Sequence, residues 1–185
     1  MKIKTFWNSI DRLNFILIFI LGLLGVLLSF TVNQSFLFIN RHTVFFILGM
    51  LIILFLSQQN NKNIRRIALF GFIILIILLL SLYFFEYEVK GSKRWLRILS
   101  FSFQPSEVVK PFFIILTSWG ISQSIKGKKY FLLVTFVSFL ALILLVLLQP
   151  DLGMTILIAS TFFCQLFIAG LPMMLVLYGL ALILS

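Results

Sequence analysis

The fold class this sequence predicts is an all-α polytopic membrane protein of about six to seven transmembrane helices, and three observations predict it. Of its 185 residues, 62% are hydrophobic, 11% are charged, and phenylalanine alone occurs 23 times. A soluble domain runs at about 45–50% apolar and about 25% charged, and a water-soluble fold of this size could not cover so much apolar surface. The apolar residues also fall in long unbroken runs. A spanning helix needs roughly 20 of them at about 1.5 Å each. Finally, the runs do not alternate polar with apolar residues, which argues against a β-barrel. Soluble, disordered and collagen-like classes are excluded.

The spans follow in order. Leu13–Val32 carries no charge and forms the first. Lys2, Lys4 and Arg12 precede it, as they would in a secretory signal. The run is too long for one, however, and Phe30-Thr31-Val32-Asn33-Gln34 offers no small-x-small cleavage site. Thr43–Leu56 is a shorter second span, and Ile67–Phe85 a clear third. The fourth covers Pro111–Ile121 and starts near Pro105. Phe131–Leu148 and Met154–Ala169 are the fifth and sixth. A seventh run begins at Leu171 and is still apolar at Ser185. Residues 1–185 are therefore expected to form one membrane domain, the opening part of a longer helical bundle, with an outer loop over about 86–104.

The net charge of +10 would point to nucleic acid in a soluble protein. Here the basic residues divide between two sides of a membrane, so no nucleic-acid partner is expected. With the N-terminus inside, the inner segments hold nine basic residues, Lys2, Lys4, Arg12, Lys62, Arg65, Arg66, Lys126, Lys128 and Lys129, against Asp11. The outer segments hold six, Arg41, Lys90, Lys93, Arg94, Arg97 and Lys110, against Glu86, Glu88, Glu107 and Asp151. The bias places the N-terminus in the cytoplasm. Four of the five acids nevertheless lie outside. Topology does not require them there, so the outer side is expected to carry the function.

Two constellations on that side could carry chemistry. The first joins the third span to the fourth: Lys90-Gly91-Ser92-Lys93-Arg94-Trp95-Leu96-Arg97, then Phe103-Gln104-Pro105-Ser106-Glu107-Val108-Val109-Lys110-Pro111. Pro105 suits the first helical position. Glu107 then sits in the first turn, where the helix dipole favours a carboxylate, and Lys110 lies three residues on, on the same face. A cation there needs a partner, either Glu107 or a bound anion. Pro111 is expected to kink the helix. The pair reads either as a structural clamp on a helix start or as a functional pair in a water-filled cavity. Arg94, Trp95 and Arg97 read either as an interfacial anchor or as a phosphate clamp. The second constellation is Gln149-Pro150-Asp151-Leu152-Gly153. Asp151 is either an N-cap for the sixth span or a cavity acid that holds a cation or orients a sugar.

Other residues invite plainer readings. Cys164, the single cysteine, is expected to be a small buried apolar residue. His42 is expected to be structural. Gly22, Gly25, Gly170 and Gly179 are expected at helix-packing positions. There is no Walker A loop, no His/Cys metal spacing, no GxSxG and no internal repeat.

Taken together, the two constellations resemble the SEDS family of polytopic cell-wall proteins, the FtsW/RodA/SpoVE group. The resemblance rests on Lys90-Gly91-Ser92-Lys93-Arg94-Trp95, on Phe103-Gln104-Pro105-Ser106-Glu107 with Lys110, and on Gln149-Pro150-Asp151-Leu152-Gly153. Val89-Lys90-Gly91, Gly153-Met154-Thr155 and Phe167-Ile168-Ala169-Gly170-Leu171-Pro172 lean toward the FtsW branch, which serves cell division. The stretch Leu96–Ser102 departs from the family, which usually has an acidic or small polar residue and a glycine there. The resemblance runs along the whole chain but covers only about the N-terminal half of the family's length.

It implies a peptidoglycan glycosyltransferase of the bacterial inner membrane that polymerises lipid II, a disaccharide-pentapeptide on a polyprenyl diphosphate, on the outer face. Lys93, Arg94, Arg97 and Lys110 would meet the diphosphate, with Trp95, Gln104, Pro105, Ser106, Glu107 and Asp151 lining the same cavity. The resemblance places the catalytic aspartate in a later outer loop that has no counterpart here, so this chain alone is expected to be inactive. No motif binds a cofactor, and a divalent cation is left open. A class B penicillin-binding transpeptidase is the implied partner. The alternatives are a lipid II flippase, for which polar residues through the membrane would be expected, or a non-catalytic division scaffold. Charges at the outer edge and Leu, Ile and Phe at mid-span favour surface chemistry.

Overall fold

The computed structural model describes residues 11–32, 36–84, 96–98 and 101–170, with side chains at 11–31, 40–82 and 104–170. Its helices are α1 (Arg12–Val32), α2 (Phe36–Ser57), α3 (Asn61–Phe84), α4 (Pro105–Ile125), α5 (Tyr130–Leu148) and α6 (Leu152–Ile168). The first five are long and apolar enough to cross a membrane, and α6 is a 17-residue apolar helix. At about 1.5 Å per residue that is roughly 26 Å, just short of a hydrocarbon core. The spans of this multi-pass membrane protein are thus helical among the described residues. The seventh run, from Leu171, lies outside the described residues, as does Gly179.

Several boundaries differ from expectation; the third span, expected from Ile67, belongs to a helix that starts at Asn61. The second span was expected over Thr43–Leu56, but α2 starts at Phe36. Its outer turns carry Asn40, Arg41 and His42, polar residues that a hydropathy run leaves out although the helix continues through them. The loop expected over 86–104 contains a short antiparallel hairpin of β1 (Leu96–Ile98) and β2 (Phe101–Phe103), with Leu96 opposite Phe103 and Ile98 opposite Phe101. Apolar residues at alternate positions give these strands their period of two.

The chain divides after Ile64 into two units. In the first, α1 and α2 pair. Asp11 caps α1: its Oδ1 accepts from the amides of Leu13 and Asn14 at 3.2 and 3.3 Å. Gly22 is a packing position, since the Phe46 ring occupies the space a Cβ would take, whereas Gly25 faces open space. His42 is structural, its Nδ1 lying 3.1 Å from the Ser29 hydroxyl, which also donates to the Gly25 carbonyl.

The second unit, from Arg65, holds the core. Leu75 and Leu79 of α3, Val109 and Phe113 of α4, Phe139, Leu142 and Val146 of α5, and Ile158, Phe162 and Leu166 of α6 are all buried. Phe162 is the hub. It is fully enclosed, stacks on Phe139 at 4.3 Å between ring centroids, and meets Phe136 edge-on at 5.3 Å and Phe113 at 6.1 Å. The buried stripe of α6 runs through 154, 155, 158, 159, 162, 163 and 166, the 3.6-residue period of one helix face. Cys164 falls off that stripe and is exposed, contrary to the buried position expected for it. Gly170, expected at a packing position, instead ends α6 with φ +79°, and no described residue lies near its missing side chain. A left-handed residue after the last helical one is where glycine is favoured.

Candidate functional site

Gln104 precedes α4 in an extended conformation (φ −107°, ψ 106°), and Pro105 takes the first helical position. Proline loses nothing there, because that amide has no helical acceptor. Pro105 and Ser106 are buried. Glu107 sits in the first turn, and its Oε2 accepts from Lys110 Nζ at 2.5 Å. The pair is unevenly exposed, Lys110 at 21% and Glu107 at 52%. Lys110 is thus the half-sheltered member, and Glu107 holds it at a helix N-terminus that would otherwise repel it. Helix α4 continues through Pro111 to Ile125.

Across from this start lies the start of α6. Asp151 is its N-cap, with Oδ1 accepting from the Met154 amide at 3.1 Å. The Thr155 hydroxyl donates to the Asp151 carbonyl at 2.8 Å. Gln104 links the two starts: its Nε2 reaches Ser106 Oγ at 3.1 Å and Asp151 Oδ2 at 3.5 Å. Two helix N-termini, each a source of partial positive charge and unpaired amides, therefore meet at one end of the second unit. Gln149, which ends α5, is 3% exposed.

The structure brings Gln104, Ser106 and Asp151 together and pairs Glu107 with Lys110. Arg97 stands in the middle of β1, opposite Ser102. Lys93, Arg94 and Trp95 lie outside the described residues. No group of three or more potential metal ligands occurs among the described residues.

Sequence reasoning missed one polar link. Thr117, 1% exposed, donates to Gln165 Oε1 at 2.7 Å, and Gln165 Nε2 donates to the Ile114 carbonyl at 3.1 Å. This clamp ties α4 to α6 inside runs read as wholly apolar. The signal was a lone Thr and a lone Gln in those runs. Their mutual bonding meets the cost of a polar group in lipid.

Apolar length, a helical core and an end where two helix starts converge define a polytopic membrane protein of the helical-bundle kind. The cell cycle protein family model of FtsW, RodA and SpoVE matches residues 4–185. The chain belongs to that family. It is 32% identical over 177 residues to the probable peptidoglycan glycosyltransferase FtsW of Caulobacter vibrioides, covering 90% of this chain and 45% of that one. It is 30% identical over 189 residues to the peptidoglycan glycosyltransferase MrdB of Escherichia coli, covering 98% and 50%. The chain spans about half the length of these relatives. RodA of Thermus thermophilus shares the fold with a TM-score of 0.73 at 21% identity, over 92% of this chain and 57% of that one. A chain in a solved peptidoglycan synthase complex does so with the same score at 20% identity, over 91% and 51%.

Proposed function

We propose that this chain contributes the first spans and part of the substrate site of a peptidoglycan glycosyltransferase that polymerises lipid II on the outer face of the bacterial inner membrane. The observation that carries the reading is the meeting of the α4 and α6 starts through Gln104 and Asp151. A lipid-linked diphosphate is a dianionic group at membrane-surface depth. Helix N-termini and a positioned lysine suit it. Lys110 would meet the phosphate oxygens while Glu107 fixes its place. Lys93, Arg94 and Arg97, with Trp95, would add to the groups that meet the diphosphate, and a divalent cation could accompany it.

In the transfer, the bond from the anomeric carbon to the diphosphate breaks and polyprenyl diphosphate leaves. The acceptor sugar's hydroxyl oxygen forms the new glycosidic bond, and its proton passes to a base. Asp151 is engaged as an N-cap, so a different carboxylate is expected to take that proton. A class B penicillin-binding transpeptidase would then crosslink the glycan. The relatives named as glycosyltransferases support this reading. So does the Thr117–Gln165 clamp, because these mid-span polar groups satisfy each other rather than line a path for a flipped headgroup.

The test is lipid II polymerisation by the full-length natural protein carrying Glu107→Gln, Lys110→Met and both. A coupling of about 1 kcal/mol, near fivefold in rate, is expected between them. Additive losses would mean that Glu107 does not position Lys110, and undiminished polymer from Lys110→Met would remove Lys110 from the site.

A further inference from the structure

Gln104 stands just before α4, where a side-chain oxygen ordinarily turns onto the amides of its own helix. Its side chain forms no such bond. Only its backbone carbonyl serves the helix, accepting from the Glu107 amide at 3.1 Å. The side chain is committed elsewhere. Its nitrogen carries two N–H groups, and two oxygens lie within their reach, Ser106 Oγ at 3.1 Å and Asp151 Oδ2 at 3.5 Å. Asp151, in the same position before α6, does the reverse and accepts from its own helix at the Met154 amide.

These contacts fix the direction of the carboxamide. A carboxylate only accepts, so the nitrogen and not the oxygen of Gln104 must face Asp151. Ser106 is fully buried and holds its place. The backbone is restrained as well. Pro105 confines the residue before it to extended conformations, and β2 runs directly into Gln104. With both N–H groups engaged, Oε1 is turned away from Ser106 and Asp151. Gln104 is partly exposed, and Oε1 accepts from no described residue. Six residues on, about 9 Å along α4, stands Lys110 with its partner Glu107. One end of the helices thus offers a cation for an anionic group and an oriented, uncharged acceptor near it.

We propose that Gln104 Oε1 accepts a hydrogen bond from a hydroxyl or N–H of the sugar that carries the diphosphate, and so distinguishes a glycosyl diphosphate from a bare lipid diphosphate. The proposal rests on the reading of this end as the diphosphate site and adds the part of the substrate that Gln104 reads. Helix amides and Lys110 recognise charge, which both lipids have. In a glycosyl diphosphate the carbon next to the linked one also carries a donor, and the bare lipid has none. After transfer the departing polyprenyl diphosphate has lost that donor, so the contact favours substrate over product.

The test is lipid II polymerisation by the full-length natural protein with sugar-free polyprenyl diphosphate as competitor, read as a KM for the first and an inhibition constant for the second. Gln104→Lys keeps donors for Ser106 Oγ and Asp151 and has no acceptor. Gln104→Met has no donor and no carbonyl. Within each variant a change at the diphosphate moves both constants together, so their ratio reports the sugar. The preference for lipid II is expected to fall about fivefold in both variants, the size of one uncharged hydrogen bond. A ratio that stays at the wild-type value in either variant would overturn the proposal. If only Gln104→Lys keeps it, Gln104 acts through its nitrogen alone, as a tie between the two helix starts. A wild-type protein without the preference would overturn it too. Lys110→Met is expected to raise both constants and leave their ratio unchanged. If neither constant moves in Lys110→Met, the diphosphate reading falls, and the proposal with it.

Discussion

The two ends of the second unit are closed by different chemistry. At the outer end, polar side chains bridge helix starts: Gln104 reaches Asp151, Asp151 caps α6, and Glu107 holds Lys110. At the inner end the closure is tight apolar and aromatic packing. A Cβ on Gly120 would collide with Thr135 Oγ1, and Trp119 packs between Phe131 and Arg65. The difference teaches where each end can move. A hydrogen-bonded rim can exchange partners with a ligand or water, whereas a seam packed at van der Waals distance cannot open without losing its contacts.

The largest expected effect should fall on both ends at once. Phe162→Ala leaves a void at the ring cluster that joins α4, α5 and α6. Such truncations cost about 3–5 kcal/mol in soluble cores. The lower figure, about 3 kcal/mol, is expected here, because the exposed reference surface is lipid rather than water and only packing is lost. Denaturation by graded SDS in bicelles measures it. A cost below about 1 kcal/mol would mean that the Phe162 cluster does not hold the two ends together.

Gly120→Ala should act on the inner end alone. The added methyl meets Thr135 Oγ1, whose hydroxyl is already bound to the Phe131 carbonyl at 2.7 Å. Overpacking of this kind costs about 1–3 kcal/mol, and Thr135→Ala in the same chain should recover most of it by removing the obstructing oxygen. Failure of the second change to rescue the first would place the strain elsewhere.

The two ends were unequally legible in the sequence. Pro105, Glu107, Lys110 and Asp151 stood out because charges and helix breakers are rare in apolar runs, and Glu107 and Lys110 are three residues apart on one helix. The contacts that build the body join distant positions: Thr117 with Gln165, Arg65 with Trp119, Gly120 with Thr135, Gln104 with Asp151. Periodicity shows which face of a helix is buried but not which helix it meets. The misplacement of Cys164 has the same root. In a membrane an apolar residue is as well suited to facing lipid as to facing the core, so composition does not reveal its side. The second span was drawn short for the converse reason, since hydropathy stops at Thr43 while the backbone bonds of α2 do not.

At the outer end, Asp151→Ala should cost about 1 kcal/mol, the usual value of a helix cap, and should also free Gln104 from its partner. Asp151→Ser restores the cap to the Met154 amide but is too short to reach Gln104. Unfolding that returns to the wild-type midpoint with Ser would assign the whole effect to the cap. A residual loss measures the Gln104 link between the two helix starts.

The smallest effect is expected one turn away, at Gly153. A Cβ built there has only Asp151 Oδ1 nearby, at 3.8 Å, an ordinary contact. Gly153 lies in the first turn of α6, and its φ is not in the left-handed region. Alanine is favoured over glycine by about 1 kcal/mol inside a helix, and by less at its end. Gly153→Ala should therefore be neutral or stabilising by a few tenths of a kcal/mol, opposite in sign to Gly120→Ala. The two substitutions are chemically identical, so their contrast in one SDS titration isolates packing from backbone propensity. Equal destabilisation at both positions would show that the outer end is packed as closely as the inner one, and the distinction between an exchangeable rim and a closed seam would fail.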